Sequence, residues 1–185
     1  MIVMIGGKKG ASLSKVTAQM GVWSALAVAA RVGKHALVGP FQFVNLPLLF
    51  TMLAGMLYGG SVGFGVGLLS FLVSDTVLGL GIWTVVDGTL AGIVGAFWSK
   101  LRLKDRVVLF MLGYLSTFLY DVLTSWILYM IFGFPPLEAL IVGVVGLFLP
   151  VAGGGAIAIG PTTEATTSLL LSILAPRLLR ERVYR

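Results

Sequence analysis

Residues 45–79, NLPLLFTMLAGMLYGGSVGFGVGLLSFLVSDTVLG, contain two apolar runs that decide the fold class. The pair Gly59-Gly60 separates the runs, and Asp75 is the single charged residue of the stretch. Apolar runs bounded by glycine or proline are typical of membrane helices that are joined by short turns. The stretch therefore predicts two consecutive helices that cross a lipid bilayer.

Further apolar runs lie on both sides of this stretch, at 14–31, 82–98, 107–131 and 137–178. As one helix the last run would be about 63 Å long at about 1.5 Å per residue, twice the hydrocarbon thickness of about 30 Å. We therefore expect it to break at Gly153-Gly154-Gly155 or at Gly160-Pro161. It would then contain two crossings, or one crossing and a re-entrant or interfacial piece.

The composition excludes a soluble globular domain. Of 185 residues, 58% are hydrophobic and 11% are charged, whereas about a quarter of a soluble domain is charged. Disorder is also excluded, because it requires low hydrophobicity. A crossing needs about 20 apolar residues, so the chain has room for at most about seven crossings and none for a soluble catalytic domain.

The positive charges predict the topology. Eleven of the thirteen Lys and Arg residues fall in the segments 8–15, 100–106 and 177–185, and cytoplasmic loops carry the Lys/Arg excess. All three segments share one side only if 137–178 makes a single crossing. The sequence thus predicts an all-α integral membrane protein, a six-transmembrane-helix bundle with cytoplasmic N and C termini. A short re-entrant or broken segment would precede the last helix.

This topology divides the chain into a cytoplasmic segment 1–13, one membrane domain 14–178 and a basic cytoplasmic tail 179–185. It also explains the net charge of +6, so we expect no nucleic-acid partner. The partner is a lipid bilayer, the plasma membrane of a prokaryote. No signal-peptide pattern follows Lys8 and Lys9, so we expect the chain to be mature.

Four carboxyl groups are predicted at a similar depth near the external side, one on each of four spans: Asp75, Asp87, Asp121 and Glu164. An ionisable group inside a membrane segment costs about 2.5–3.5 kcal/mol and therefore marks a pathway or a site. The alternative is that each acid is interfacial, or pairs with Arg31, Lys34 or a backbone group.

Other polar and aromatic side chains fall near this level. Gln42 and Asn45 lie in the first external loop or at the start of span two, and Trp83 and Trp126 lie near the acids. Together they predict an outward-facing polar cup with aromatic walls, which is typical of a small-molecule pocket. The tryptophans have an alternative role as interfacial anchors. The external connection 32–44 is long enough to act as a lid.

Several kinds of chemistry are excluded. The chain has no cysteine and one histidine, His35, so we expect no disulfide, no thiolate or histidine-cluster metal site, and no cofactor. It has no phosphate-binding loop and cannot hydrolyse ATP itself. An enzyme is therefore not expected, although a lipid-modifying enzyme that uses Asp87 and Asp121 stays an alternative. Another alternative is a self-sufficient channel or small secondary carrier with the acids as an ion path.

Small residues recur at four-residue spacing along span one, at Gly21, Ala25 and Ala29. Such stripes let helix backbones approach each other closely in a membrane. The stripe is either a packing face inside the bundle or a docking face for another membrane subunit.

The chain resembles the substrate-specific S component of energy-coupling factor (ECF) vitamin transporters over most of residues 14–178. The resemblance depends on six short helices, a long first external loop, and Ala25-Leu26-Ala27-Val28-Ala29 followed by Arg31. It also depends on the segment from Asn45-Leu46-Pro47 through Gly59-Gly60 to Ser74-Asp75.

This resemblance implies a subunit that captures a vitamin or related micronutrient on the outer face and docks to a transmembrane T component coupled to two ATPases. Ala25 and Ala29 would form the docking surface. The start Met1-Ile2 lacks the Met-His of the nickel/cobalt branch. The candidate substrate-binding residues are Asp75, Trp83, Asp87, Asp121, Trp126, Glu164, Gln42 and Asn45. The tryptophans would stack on a planar ligand, and the excess of carboxylates favours a cationic one such as thiamine.

Overall fold

The computed structural model describes residues 12–39, 43–101, 103–148 and 159–183. Within these ranges all regular structure is helical, which confirms the predicted all-α class. The helices of the described ranges are α1 Leu13–Val38, α2 Leu46–Tyr58, α3 Gly60–Leu78, α4 Ile82–Trp98, α5 Arg106–Ile131, α6 Pro136–Leu147 and α7 Ile159–Val183.

Two of these helices, α3 and α5, are long and apolar enough to cross a membrane, and α2, α4 and α6 are shorter apolar helices. Large apolar side chains are exposed on the outside of the bundle, for example Val85 and Ile93 on α4 and Met111 and Leu115 on α5. Lipid tails solvate such side chains and water does not. The helices are therefore compatible with insertion in a membrane.

Helices α1 to α4 form the first half of the bundle, and glycines hold α2, α3 and α4 in backbone contact. A tight turn at Gly59, with φ 103°, joins α2 to α3. A Cβ atom on Gly55 would lie 2.1 Å from the carbonyl oxygen of Gly95, and one on Gly67 would lie 2.3 Å from the backbone nitrogen of Gly92. No other residue type fits between these backbones without a shift.

Helices α5, α6 and α7 form the second half. Helix α6 turns back along α5, with Gly143 against the side chain of Ser125. Helix α7 packs against the earlier part of α5, where Gly113 faces Leu171. Gly160, in the first turn of α7, is packed against Leu147 at the end of α6. The two helices thus lie one after the other along α5.

The two halves meet where α4 packs on α5 and α2 packs on α7. Near one end, the indole nitrogen of the fully buried Trp98 donates to Ser116 Oγ at 3.0 Å. The Tyr120 hydroxyl donates to the carbonyl oxygen of Asp87 at 3.3 Å, further along the same α4–α5 contact. Both contacts hold the two halves together where α4 packs on α5.

The connection between α1 and α2 is shorter than predicted. Helix α1 continues to Val38, so residues 32–38 of the expected 32–44 loop are helical. Gly39 then ends the helix with φ 69°, and its amide donates to the carbonyl oxygen of His35 at 2.8 Å. The prediction was wrong because it ended the helix where the apolar periodicity fades, at Lys34. Lysine, alanine and leucine are strong helix formers, so the helix continues through them. The lid prediction now concerns a much shorter connection, whose residues 40–42 are outside the described ranges.

The last apolar run contains two helices, α6 ending at Leu147 and α7 beginning at Ile159, so the predicted break falls between them. Gly160-Pro161 lies inside the first turn of α7 and does not interrupt a helix. A proline is tolerated in a first turn, because the amide that it lacks would have no helical partner there. The other predicted break, Gly153-Gly154-Gly155, lies outside the described residues. Helix α6, with 12 residues, is a short helix ahead of the last one.

Candidate functional site

The predicted site residue Asp75 is held in an ion pair. Its Oδ1 atom lies 2.6 Å from Nη1 of Arg31 on α1, and its Oδ2 atom accepts a hydrogen bond of 2.7 Å from Thr84 on α4. Arg31 also donates to Ser74 Oγ, and its guanidinium lies 4.6 Å from the ring centroid of Phe71. Asp75 is 1% exposed. It therefore joins α1, α3 and α4, as the pairing alternative predicted.

A cavity of about 220 Å³ lies between the two halves of the bundle. The first half contributes charged, amide and aromatic groups, namely Arg31, Lys34, Asn45, Phe71 and Asp87. The second half contributes a face of α5 with Tyr120, Asp121, Thr124, Ser125 and Leu128. Three of the predicted substrate-binding residues, Asn45, Asp87 and Asp121, thus line one cavity.

Asn45 is fixed in place at the start of α2. Its side-chain oxygen accepts a hydrogen bond of 3.1 Å from the amide of Leu48, which is an N-cap. Its own backbone amide donates to Thr167 Oγ1 on α7 at 2.9 Å. Pro47 stands at the first helical positions, where its missing amide costs nothing. The wall of the cavity at Asn45 is therefore tied to both halves.

The four predicted carboxyl groups form one electrostatic network. Asp87 interacts with Asp75 and with Arg31, and Asp121 interacts with both Asp87 and Glu164. These interactions link the four acids in a chain from Asp75 to Glu164, and the prediction that all four lie at one depth stays a prediction. Whether they bind a ligand stays a prediction.

Glu164 lies between α7 and α5 and does not line the cavity. Its side chain is 0% exposed, and the Tyr114 hydroxyl lies beside it. Neither carboxyl oxygen has a well-oriented hydrogen-bond partner among the described residues. A buried carboxyl group without such a partner is costly to ionise, and Glu164 lies behind Asp121 as seen from the cavity.

The remaining predicted residues are placed elsewhere. Trp83 is 41% exposed and its indole donates to the carbonyl oxygen of Gly79 at 3.3 Å. Trp126 donates to the carbonyl oxygen of Pro136 at 2.8 Å and so ties α5 to α6. The structure brings neither tryptophan to the cavity wall. Gln42 lies outside the described residues.

Several cavity residues were not predicted as binding residues. Phe71 precedes Asp75 by one helical turn, and Thr124 and Ser125 follow Asp121 by one turn. Residues three and four apart share a helix face, so this spacing was the available signal. Tyr120 and Leu128 carried no such signal. No group of three or more His, Cys, Asp or Glu side chains suited to a metal ion occurs in the described part of the chain.

The small-residue stripe of α1 lies on an exposed face. Gly21, Ala25 and Ala29 are all exposed, and a Cβ atom on Gly21 would meet no atom within 4 Å. The residue between the stripe positions, Ala27, is fully buried. The stripe is therefore on the side of α1 that faces away from the rest of the described bundle.

Comparisons with known proteins relate about half of the chain to a known protein. No family model matches the chain, and no solved structure matches it. A UPF0397 protein of Lactobacillus acidophilus is 32% identical over 104 residues, which are 53% of this chain and 55% of that protein. The chain thus spans about half the length of the curated relative that it matches. Over that part, the chain is a homologue of a UPF0397 protein.

Proposed function

We propose that this chain is the solute-binding membrane subunit of an ECF-type importer. It would capture a vitamin or related small polar micronutrient at the outer face of the plasma membrane. The observation that carries the proposal is the polar cavity between the two halves, which Asn45, Asp87 and Asp121 line together. Cavities between the helices of a bundle, with a few convergent polar groups, are typical of small-molecule sites.

The proposed topology has six crossings, with residues 14–178 as one membrane domain. Helices α1 to α5 make five crossings, and α6 and α7 together make the sixth as a broken helix. With 12 residues, α6 is about 18 Å long and too short for a hydrocarbon layer of about 30 Å. Helix α6 lies beside one part of α5, and α7 follows it along the same helix. This arrangement supports a single crossing that α6 and α7 share. Segments 1–13 and 179–185 would then both be cytoplasmic.

Energy for import would come from partner subunits, namely a transmembrane T component and two ATPases, and this chain would not be an enzyme. The exposed stripe at Ala25 and Ala29 supports the docking proposal, because small side chains let a partner helix approach the backbone of α1 closely. Transport would follow from reorientation of this subunit on its partner.

Mass spectrometry of the small molecules that co-purify with the detergent-solubilised chain tests solute binding. The wild type is expected to retain a solute that Ser125→Trp, which fills the cavity, does not. The matched control Ile93→Trp adds the same ring to the exposed face of α4 and should retain the solute. Equal retention by the wild type and Ser125→Trp would contradict the proposal.

Co-purification from the native membrane tests the partners. The wild type should bring down a T component and two ATPases. The double substitution Ala25→Trp with Ala29→Trp should abolish the complex and leave solute binding intact, whereas Ile93→Trp should preserve both. An intact complex in the double variant would remove the docking surface from the proposal.

The buried carboxyl network favours one further candidate, a self-sufficient channel or secondary carrier. Ion flux through the purified chain alone in liposomes, lost in Asp121→Asn, would support that candidate against the importer subunit. Turnover of a lipid substrate, lost in Asp87→Asn, would instead support a lipid-modifying enzyme.

A further inference from the structure

We propose that the cavity takes a small organic cation, a protonated amine held between the carboxylates of Asp87 on α4 and Asp121 on α5. This inference rests on the proposed function, since it names the chemical class of the solute that the subunit would capture. Three features of the cavity carry it: the two acids without a described pairing partner, the hydrogen-bonding groups beside them and the size of the space.

The positive charges of the cavity are already engaged. Arg31 pairs with Asp75 at 2.6 Å and donates to Ser74, and Lys34 also has an interaction partner. The side-chain carboxylates of Asp87 and Asp121, by contrast, accept no hydrogen bond and make no ion pair among the described residues. Because Asp75 pairs with Arg31, Asp87 and Asp121 are the two acidic side chains of the wall with which no described cation pairs.

The acids belong to different halves of the bundle. Asp87 is on α4 and Asp121 is on α5, and the two carboxylates interact with each other across the cavity wall. Like charges in a site disfavour each other's ionised form, and a cation between them relieves this. Glu164, which is fully buried behind Asp121, adds a third carboxyl group to the same side.

Two neutral groups beside the acids, the hydroxyls of Tyr120 and Thr124, are available as hydrogen-bond acceptors. The Tyr120 hydroxyl already donates to the carbonyl oxygen of Asp87, and the Thr124 hydroxyl donates to the carbonyl oxygen of Asp121 at 3.1 Å. With their protons used, the hydroxyl oxygens can only accept. An ammonium group has up to three donors and no acceptor, so it matches two carboxylates and two hydroxyl oxygens. A carboxylate or phosphate ligand does not.

The size of the cavity limits the ligand. A volume of about 220 Å³ is below the range of about 300–1,000 Å³ for the sites of drug-sized ligands. Because neither Trp83 nor Trp126 lines the cavity, the wall offers no tryptophan for stacking. A compact amine therefore fits better than a large planar vitamin.

A matched series of probes tests the inference on the full chain in detergent. Butylamine, butan-1-ol and butyrate share a four-carbon chain and carry charges of about +1, 0 and −1 at neutral pH. Saturation-transfer NMR, which detects weak binding, should show that butylamine binds at least about tenfold more tightly than butan-1-ol. Butyrate should not bind.

Isosteric substitutions test the residues. Asp87→Asn and Asp121→Asn should each remove the preference for butylamine over butan-1-ol. The control Asp105→Asn makes the same change at the N-cap of α5, outside the cavity, where asparagine caps equally well, and should keep the preference. A preference that survives in both cavity variants would overturn the inference.

If the variants do not fold, probe binding to the wild type alone is sufficient to test the inference. Butan-1-ol or butyrate binding as tightly as butylamine would overturn the inference, and so would a neutral or anionic solute retained on purification. A retained neutral or anionic solute that Ser125→Trp excludes would leave the proposed solute-binding function standing. A chain that retains no solute and binds none of the probes would contradict both.

Discussion

At the residue scale, three aspartates of the same chain differ in what surrounds them. Asp75 has both oxygens bound by Arg31 and Thr84, whereas Asp87 and Asp121 face the cavity. The sequence predicted that these acids lie at a similar depth, because consecutive spans run in opposite directions and each acid then falls towards the external side. It could not show which acid is paired, since Arg31 is 44 residues from Asp75 and that contact exists only after α1 and α3 have packed.

Loss of Arg31 should therefore be costly. Arg31→Met leaves the carboxylate of Asp75 buried without its cation, and we expect it to lower the free energy of unfolding by about 3–5 kcal/mol. Chemical unfolding in detergent measures this. The double variant Arg31→Met with Asp75→Asn removes the uncompensated charge as well, so it should be less destabilised than Arg31→Met alone. A single variant as stable as the wild type would show that the ion pair does not hold α1 to α3.

At the element scale, the glycines of α2, α3 and α4 determine how closely the helices approach. The apolar runs and the Gly59-Gly60 turn predicted where these helices lie. The end of α1 at Val38 was not predicted, whereas α7 begins at Ile159, next to Gly160-Pro161, one of the two predicted break points. Helix-forming residues continue α1 beyond the apolar run 14–31, so hydrophobicity alone does not mark its end.

Two glycine-to-alanine substitutions distinguish the effect of helix–helix packing on stability from the effect of helix propensity. At Gly67 a Cβ atom would lie 2.3 Å from the backbone nitrogen of Gly92, whereas at Gly33 nothing lies within 4 Å. Gly67→Ala should destabilise the protein by about 1–3 kcal/mol. Gly33→Ala should be neutral or stabilise α1 by up to about 1 kcal/mol. Thermal unfolding of the two variants measures the difference. Equal stability would contradict the close approach of α3 and α4.

At the scale of the whole molecule, the candidate site exists because two groups of helices leave a space between them. The sequence predicted the polar groups of that site from depth and the excess of carboxylates. It did not predict that Phe71, Tyr120 and Leu128 line the cavity, nor that Trp83 and Trp126 lie apart from it. Which face of a helix is turned to a cavity depends on rotation about the helix axis, and apolar side chains are common on every face of a membrane helix.

The proposed topology predicts that both ends of the described chain are on the cytoplasmic side. Because the chain has no cysteine, a single introduced cysteine is the sole labelling site. In sealed cells, Ser12→Cys and Arg180→Cys should resist a membrane-impermeant maleimide and react after permeabilisation. Phe134→Cys, in the turn between α5 and α6, should react without permeabilisation. Opposite behaviour of the first two variants would imply an odd number of crossings.

The most direct test of an outward-facing binding cavity is the labelling of Ser125→Cys on the cavity wall. The account predicts that an impermeant maleimide added outside intact cells modifies this cysteine, and that butylamine slows the reaction. Modification only from the cytoplasmic side, or no modification in protein that is folded, would contradict it.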